Sequence, residues 1–172
     1  MLLAVGGTLV AAAAEPRPSE TDVKAEFVER FTRFIDWPPS AFPSAGAPFV
    51  VCTTDSSFQT ALEKVVSRGV IQRHRALVRP IDDPGATDGC HIVYLAPRMN
   101  RQLSAWLKKA SGRPVLTVGD TPGYGDRGTF VNLYLDTQAR VRFEVNVDTM
   151  KQSGLRVSSQ LLRLARLVGQ RP

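Results

Sequence analysis

Between residues 23 and 35 the apolar positions Val23, Phe27, Phe31 and Phe34 recur four, four and three residues apart, with Ile35 beside them. That spacing predicts an amphipathic helix with an aromatic-rich face. Ser19 and Asp22 form a candidate capping pair at its start. Trp37-Pro38-Pro39 ends it, because proline disfavours helical geometry in the residue before it. The stripe reads as core, with a partner-facing helix as the alternative. The period then changes. "FVVCTTD" (49–55) is a continuous apolar run and predicts a buried strand. "SSFQTALEKVVSRG" follows as a helix, capped by Asp55 or Ser56 and closed near Gly69. "ALVRPI" is a weaker strand and "CHIVYLA" (90–96) a buried one. "MNRQLSAWLKKAS" predicts a helix with Leu103, Trp106 and Leu107 inward, and "PVLTVGD" (114–120) a further strand. Strands alternating with helices indicate an α/β sheet that is parallel at first. "TFVNLYLD" and "RVRFEVN", separated by "TQA", predict an antiparallel hairpin at its C-terminal end. The expected fold is thus a mixed α/β sheet with helices on both faces.

The last third carries the densest pattern. Strand alternation sends Val141, Phe143 and Val145 to the core and Arg140, Arg142, Glu144 and Asn146 to the other face, which is expected to be half-exposed. Arg142 and Glu144 can pair with each other or across to the next strand. Asn146 suits the cap of a helix over "VDTMKQS", and Gly154 its left-handed end. Ser158 can cap a final helix with Leu161, Leu164, Ala165 and Val168 inward and Arg163 and Arg166 outward.

Residues 2–14 are all apolar or small, and Glu15-Pro16 ends the run. This is too short for a transmembrane helix. It fits the apolar part of a secretory signal cleaved after Ala14, although no Lys or Arg precedes it. The expected organisation is a signal segment over 1–14, a polar linker over 15–21 and one α/β domain over 22–172. Apolar residues make up 43% of the chain and charged residues 22%, which excludes a disordered chain. The formal net charge of +6 is spread along the sequence with acidic residues between. No basic run interleaved with aromatics points to nucleic acid.

Several motifs lead to no chemistry. "GYGDRG" (123–128) matches G-x-G-x-x-G, but a strand-like segment follows it where a dinucleotide site needs a helix. The loop is either an ordinary turn or a recognition loop carrying Tyr124. His74 and His91 fall in different elements without metal-ligand spacing. No nucleophile elbow exists, and Cys90 with the adjacent His91 would point to opposite faces of a strand. No catalytic set, metal site or cofactor site is expected. A Cys52–Cys90 disulfide is expected in an exported chain, with two buried thiols as the alternative. In adjacent parallel strands Cys52 would lie near the carboxyl end and Cys90 near the amino end, which opposes a bridge.

"WPP", "LTVGD", "VRFEVN" and "GLRVSSQLLRLA", together with "F…F…FIDWP" near the start, stand in an order that resembles the YfiR-like family over about residues 23–168. Cys52 and Cys90 stand where that family can carry a cysteine pair. The sequence departs from the family at "RGTFVNL", where Arg127 replaces the first of two glycines. The resemblance implies an α/β sandwich, able to dimerise, that catalyses nothing. It also implies a periplasmic regulator that binds the periplasmic region of an inner-membrane diguanylate cyclase and limits cyclic di-GMP production. A periplasmic small-ligand binding module is the alternative. Arg142, Glu144 and Asn146 in the strongest motif, with Asp120 and Tyr124 of the adjacent loop, are the expected partner-binding residues.

Overall fold

The computed structural model describes residues 18–66 and 69–169. The expected signal segment lies outside these residues. Helix α1 (Glu20–Phe31) opens on the capping box: Ser19 accepts the Asp22 amide, and Asp22 accepts the Ser19 amide. It therefore begins two residues inside the segment read as linker. Ser19→Ala removes the hydroxyl that satisfies an orphan amide at the first turn. It is expected to lower stability by about 1 kcal/mol in urea unfolding; an unchanged midpoint would show the box to be energetically idle.

The chain then forms β1 (Ile35–Asp36), β2 (Phe49–Thr53), α2 (Ser56–Val66), β3 (Val70–Ile71), β4 (His74–Pro80), β5 (Ile92–Leu95), α3 (Leu103–Ala110) and β6 (Leu116–Gly119). It closes with β7 (Val131–Leu135), β8 (Val141–Asn146), α4 (Val147–Gln152), β9 (Arg156–Val157), α5 (Ser159–Leu164) and β10 (Arg166–Val168). Eight strands form one mixed sheet in the order β10-β8-β7-β6-β5-β2-β4-β3. Its centre is parallel, as continuous apolar strands covered on both faces should be. The β7–β8 hairpin is antiparallel, with Asn132 opposite Glu144. β1 and β9 make a separate antiparallel ribbon.

Helices cover both faces. Ala25, Val28 and Phe31 of α1 and Phe58, Ala61 and Leu62 of α2 pack on one core. Leu103, Trp106 and Ala110 of α3 pack on the other with the two cysteines. Asp55 caps α2 by accepting the Phe58 amide. The helix expected over 99–111 is divided: Pro97–Arg101 is a 3-10 turn, and α3 follows.

Cys52 and Cys90 are bonded, with their Cα atoms 5.8 Å apart. The strand-register objection fails because Cys90 is not part of β5. Its amide turns back onto the Thr87 carbonyl, and extended pairing begins only after His91, whose amide reaches Val50. The Arg79 guanidinium fastens the same connection through the Ala86 and Asp88 carbonyls.

The expected final helix is also corrected. Ser158 caps α5 as anticipated, and Leu161 is buried, but Ala165 is extended and residues 166–168 leave the helix. They pair parallel with β8, Arg166 opposite Glu144. A free strand edge and a buried carboxylate there outweigh the helical pattern. Leu164, expected inward, is exposed.

Candidate functional site: a braced loop beside an edge strand

Polar side chains of β7 and β8 meet the 120–128 loop at the carboxyl end of β8. Glu144 lies at the centre and is 2% exposed. One carboxylate oxygen accepts the Asn132 amide at 3.0 Å, and the other accepts the Arg166 guanidinium of β10. Asn132 also donates to the Thr121 carbonyl at 3.0 Å, which ties the start of the loop to β7. Asn146 donates to the Gly125 carbonyl at 2.8 Å and accepts the Thr149 amide, so one side chain holds the loop and caps α4.

Two glycines are explained by these approaches. A Cβ on Gly125 would stand 2.3 Å from a Glu144 oxygen, and one on Gly119 would meet the Tyr124 ring at 2.7 Å. The second glycine of "GYGDRG" therefore lets backbone lie against a carboxylate, with no phosphate role. The loop leads into β7 and not into a helix.

Tyr124 is fully buried, and its hydroxyl donates towards the Ala96 and Pro97 carbonyls, each at 3.3 Å. Burial raises its pKa. Arg127 lies over the Tyr124 ring at 5.7 Å and bonds to Asn100. Asp120 receives Lys24 of α1 at 2.9 Å, and Lys24 also reaches Glu20 at 2.6 Å. Burial alone would lower the Lys24 pKa, but its bonds to Glu20 and Asp120 outweigh that and raise it. The loop is thus braced from α1, β7, β8 and the 97–100 turn. Pro122, Gly123, Asp126 and Arg127 remain exposed at its tip.

The structure brings Asp120, Tyr124, Glu144 and Asn146 into one neighbourhood, with Tyr124, Glu144 and Asn146 buried and Asp120 partly so. The expectation of a half-exposed strand face is correct only for its first part. Arg140 and Arg142 are accessible and pair with Asp136 in the hairpin turn, at 2.9 and 3.1 Å. That carboxylate, which also accepts the Gln138 and Arg140 amides, is held well below the usual range, the Arg140 amide contributing most. The later half, Glu144 and Asn146, is covered by the loop. Sequence reasoning placed Arg166 outward and missed its carboxylate. Asn132, a polar residue inside an apolar strand and opposite Glu144 in the hairpin register, was the available signal.

The histidines also come together. Phe42 stacks on His74 at 3.8 Å and on His91 at 4.5 Å. His91 Nδ1 accepts the Val50 amide, and burial pushes its pKa down to about 4. Among the described residues no group of three or more His, Cys, Asp or Glu side chains could hold a metal ion.

The arrangement defines a class: an α/β domain whose buried polar groups hold a loop and an edge strand in fixed positions. The chain belongs to the YfiR/HmsC-like family, whose family model matches residues 21–166. That family is one of periplasmic regulators and not of enzymes. The fold is similar to the crystal structure of a conserved domain protein from Vibrio cholerae O1 biovar El Tor, with a TM-score of 0.57 at 10% identity. The match covers 87% of this chain and 60% of that one, so it bears on the fold alone. Among the described residues no helix is long and apolar enough to cross a membrane.

Proposed function

We propose that this chain is a periplasmic signalling repressor that binds the periplasmic region of an inner-membrane diguanylate cyclase and so limits cyclic di-GMP production. Membership of a regulatory family supports the class of activity. The observation that carries the surface is the exposed apolar edge at β10. Leu164 is 73% and Leu167 45% exposed, and Leu167, opposite Val145 in the ladder, lies on the sheet face away from the braced loop. Among the described residues β10 is also the outermost strand of the sheet, which leaves one side of its backbone for a partner strand or loop. A monomeric domain seldom leaves large apolar side chains clustered at a strand edge without a use for them.

In this reading the expected partner-binding residues divide by role. Glu144, Asn146, Asp120 and Tyr124 hold the platform. Arg142, the loop tip with Arg127, and the leucines of α5 and β10 make the contacts. Arg163, next to Leu164 in α5, is accessible, which suits an acidic group on the partner.

Cellular cyclic di-GMP tests the reading. Loss of the gene should raise it, and the exported wild-type chain should restore it. Leu164→Glu with Leu167→Glu should leave the fold intact and fail to restore it, since burying an unpaired carboxylate in an interface weakens binding by about 2 kcal/mol or more. Full restoration by the double variant would remove the edge from the account.

A further inference from the structure

Residues 37–48 run from β1 to β2 as a strap over the amino-terminal end of the central sheet. The strap's own backbone bonds are local: Ala41 to Pro38, Phe42 to Pro39 and Ala47 to Ser44. Side chains hold it on the sheet. Phe42 stacks on His74 of β4 at 3.8 Å and on His91 at 4.5 Å. Trp37 donates its indole N–H to the His91 carbonyl at 3.2 Å, and His74 Nδ1 meets the Ala47 carbonyl at 2.7 Å.

His91 is the centre of this attachment. It is 3% exposed and also stacks on Phe49 at 4.7 Å. Its backbone amide donates to the Val50 carbonyl at 2.8 Å, and its ring Nδ1 accepts the Val50 amide at 3.0 Å. The side chain thus supplies a ladder acceptor where Cys90 has turned out of the strand. An accepting Nδ1 places the single ring proton on Nε2, which is buried without a hydrogen-bond partner. Only the neutral ring fits. A second proton has to go on Nδ1, where it would face the Val50 N–H, donor against donor, so an imidazolium must give up that bond and turn away. Burial opposes the charge first, and a charged His74 adds repulsion. The aromatic faces and the Ala41 carbonyl favour a cation, but the balance leaves the pKa at about 4. Residues 37–48, β6 and, apart from the bonded Cys52, β2 carry no ionisable side chain. Asp36, Arg73 and Arg156 line a cleft with Phe42 and His74 that His91 does not line.

We propose that residues 38–48 form an acid-released strap whose trigger is protonation of His91: the imidazolium leaves Val50, displaces Phe42 and frees the strap while the strands stay paired. The closed strap binds fewer protons than the open one. It is therefore fully favoured above the ordinary histidine value of 6.5 and loses stability as pH falls towards about 4. Over that range the opening equilibrium rises by roughly two orders of magnitude. His74 is not the trigger, because its Nδ1 donates to the Ala47 carbonyl and an imidazolium keeps that bond. β5, β6, β7 and β8 separate β2 from β10, so failure of this device leaves the regulator reading standing.

NMR of the folded protein tests the proposal. Near neutral pH the His91 ring should carry its proton on Nε2. On acidification the amides of Ala41, Phe42 and Ala45 should move together, with a midpoint between 6.5 and about 4, while those of Leu133 and Phe143 in the β7–β8 hairpin stay in place. His91→Asn keeps an acceptor for the Val50 amide and does not titrate, so its strap should remain closed throughout. His91→Phe keeps the stacking and serves as the second non-titrating variant if the first fails to fold. His74→Asn should still show the transition. A neutral His91 with its proton on Nδ1, strap and hairpin signals lost in one step, or an unchanged transition in the His91 variants would overturn the proposal.

Discussion

Removing the Cys52–Cys90 bridge lowers stability by about 4 kcal/mol in the chain-entropy account, for a sequence separation of 38 residues. For a domain of this size that is a fall of roughly 8–16 °C in melting temperature. The bond acts chiefly on the unfolded chain by closing a loop that holds α2, β3 and β4. In the folded protein the connection before Cys90 retains a second fastening, since Arg79 still reaches the Ala86 and Asp88 carbonyls. The reduced protein should therefore keep its fold in mild conditions and lose it earlier in urea. Unfolding curves of oxidised and reduced wild-type protein check this, with the double Cys→Ala variant as a reagent-free control. Coincident midpoints, or two free thiols in the unfolded, unreduced chain, would contradict it.

Glu144→Ala is expected to lower stability by about 2–4 kcal/mol. The carboxylate is buried and accepts from both Asn132 and Arg166, and bonds to a charged group contribute about 1.5–3 kcal/mol. Truncation also leaves a cavity against Gly125. The loss stays below that of a fully enclosed ion pair, because the Arg166 side chain is 60% exposed and recovers water. Arg142→Ala, two residues away on the same strand face, should change stability by no more than about 0.5 kcal/mol, since its bond to Asp136 is at the surface. Denaturant midpoints of the two variants settle the contrast. Amide exchange at Gly125 and Thr149 should accelerate in the Glu144 variant through release of the loop. Equal midpoints would return Glu144 to a solvated strand face.

The period of α1, the apolar runs of β2, β5 and β6, and the β7–β8 hairpin were legible in the sequence, because each buries a face that its own residues define. The short ladders β1, β3 and β9 were not, since two-residue strands exist only through tertiary partners. Residues 166–168 kept a helical pattern yet became β10, where the vacant edge of β8 and the Glu144 carboxylate overrode local preference. The alternation of "RVRFEVN" correctly gave which residues share a face. It could not say that a loop from before β7 covers the later half of that face, because alternation contains no information about distant backbone. The burial of Tyr124, Glu144 and Asn146 under that loop was therefore not legible in the sequence.

Affinity capture from inner-membrane extracts is the most direct measurement, with the folded wild-type domain and the Leu164→Glu, Leu167→Glu variant as baits. The account predicts that wild-type bait retains a membrane diguanylate cyclase through its periplasmic region, and that the variant, equally stable, does not. A wild-type bait that retains no such cyclase, or a variant that retains it equally well, would contradict the account.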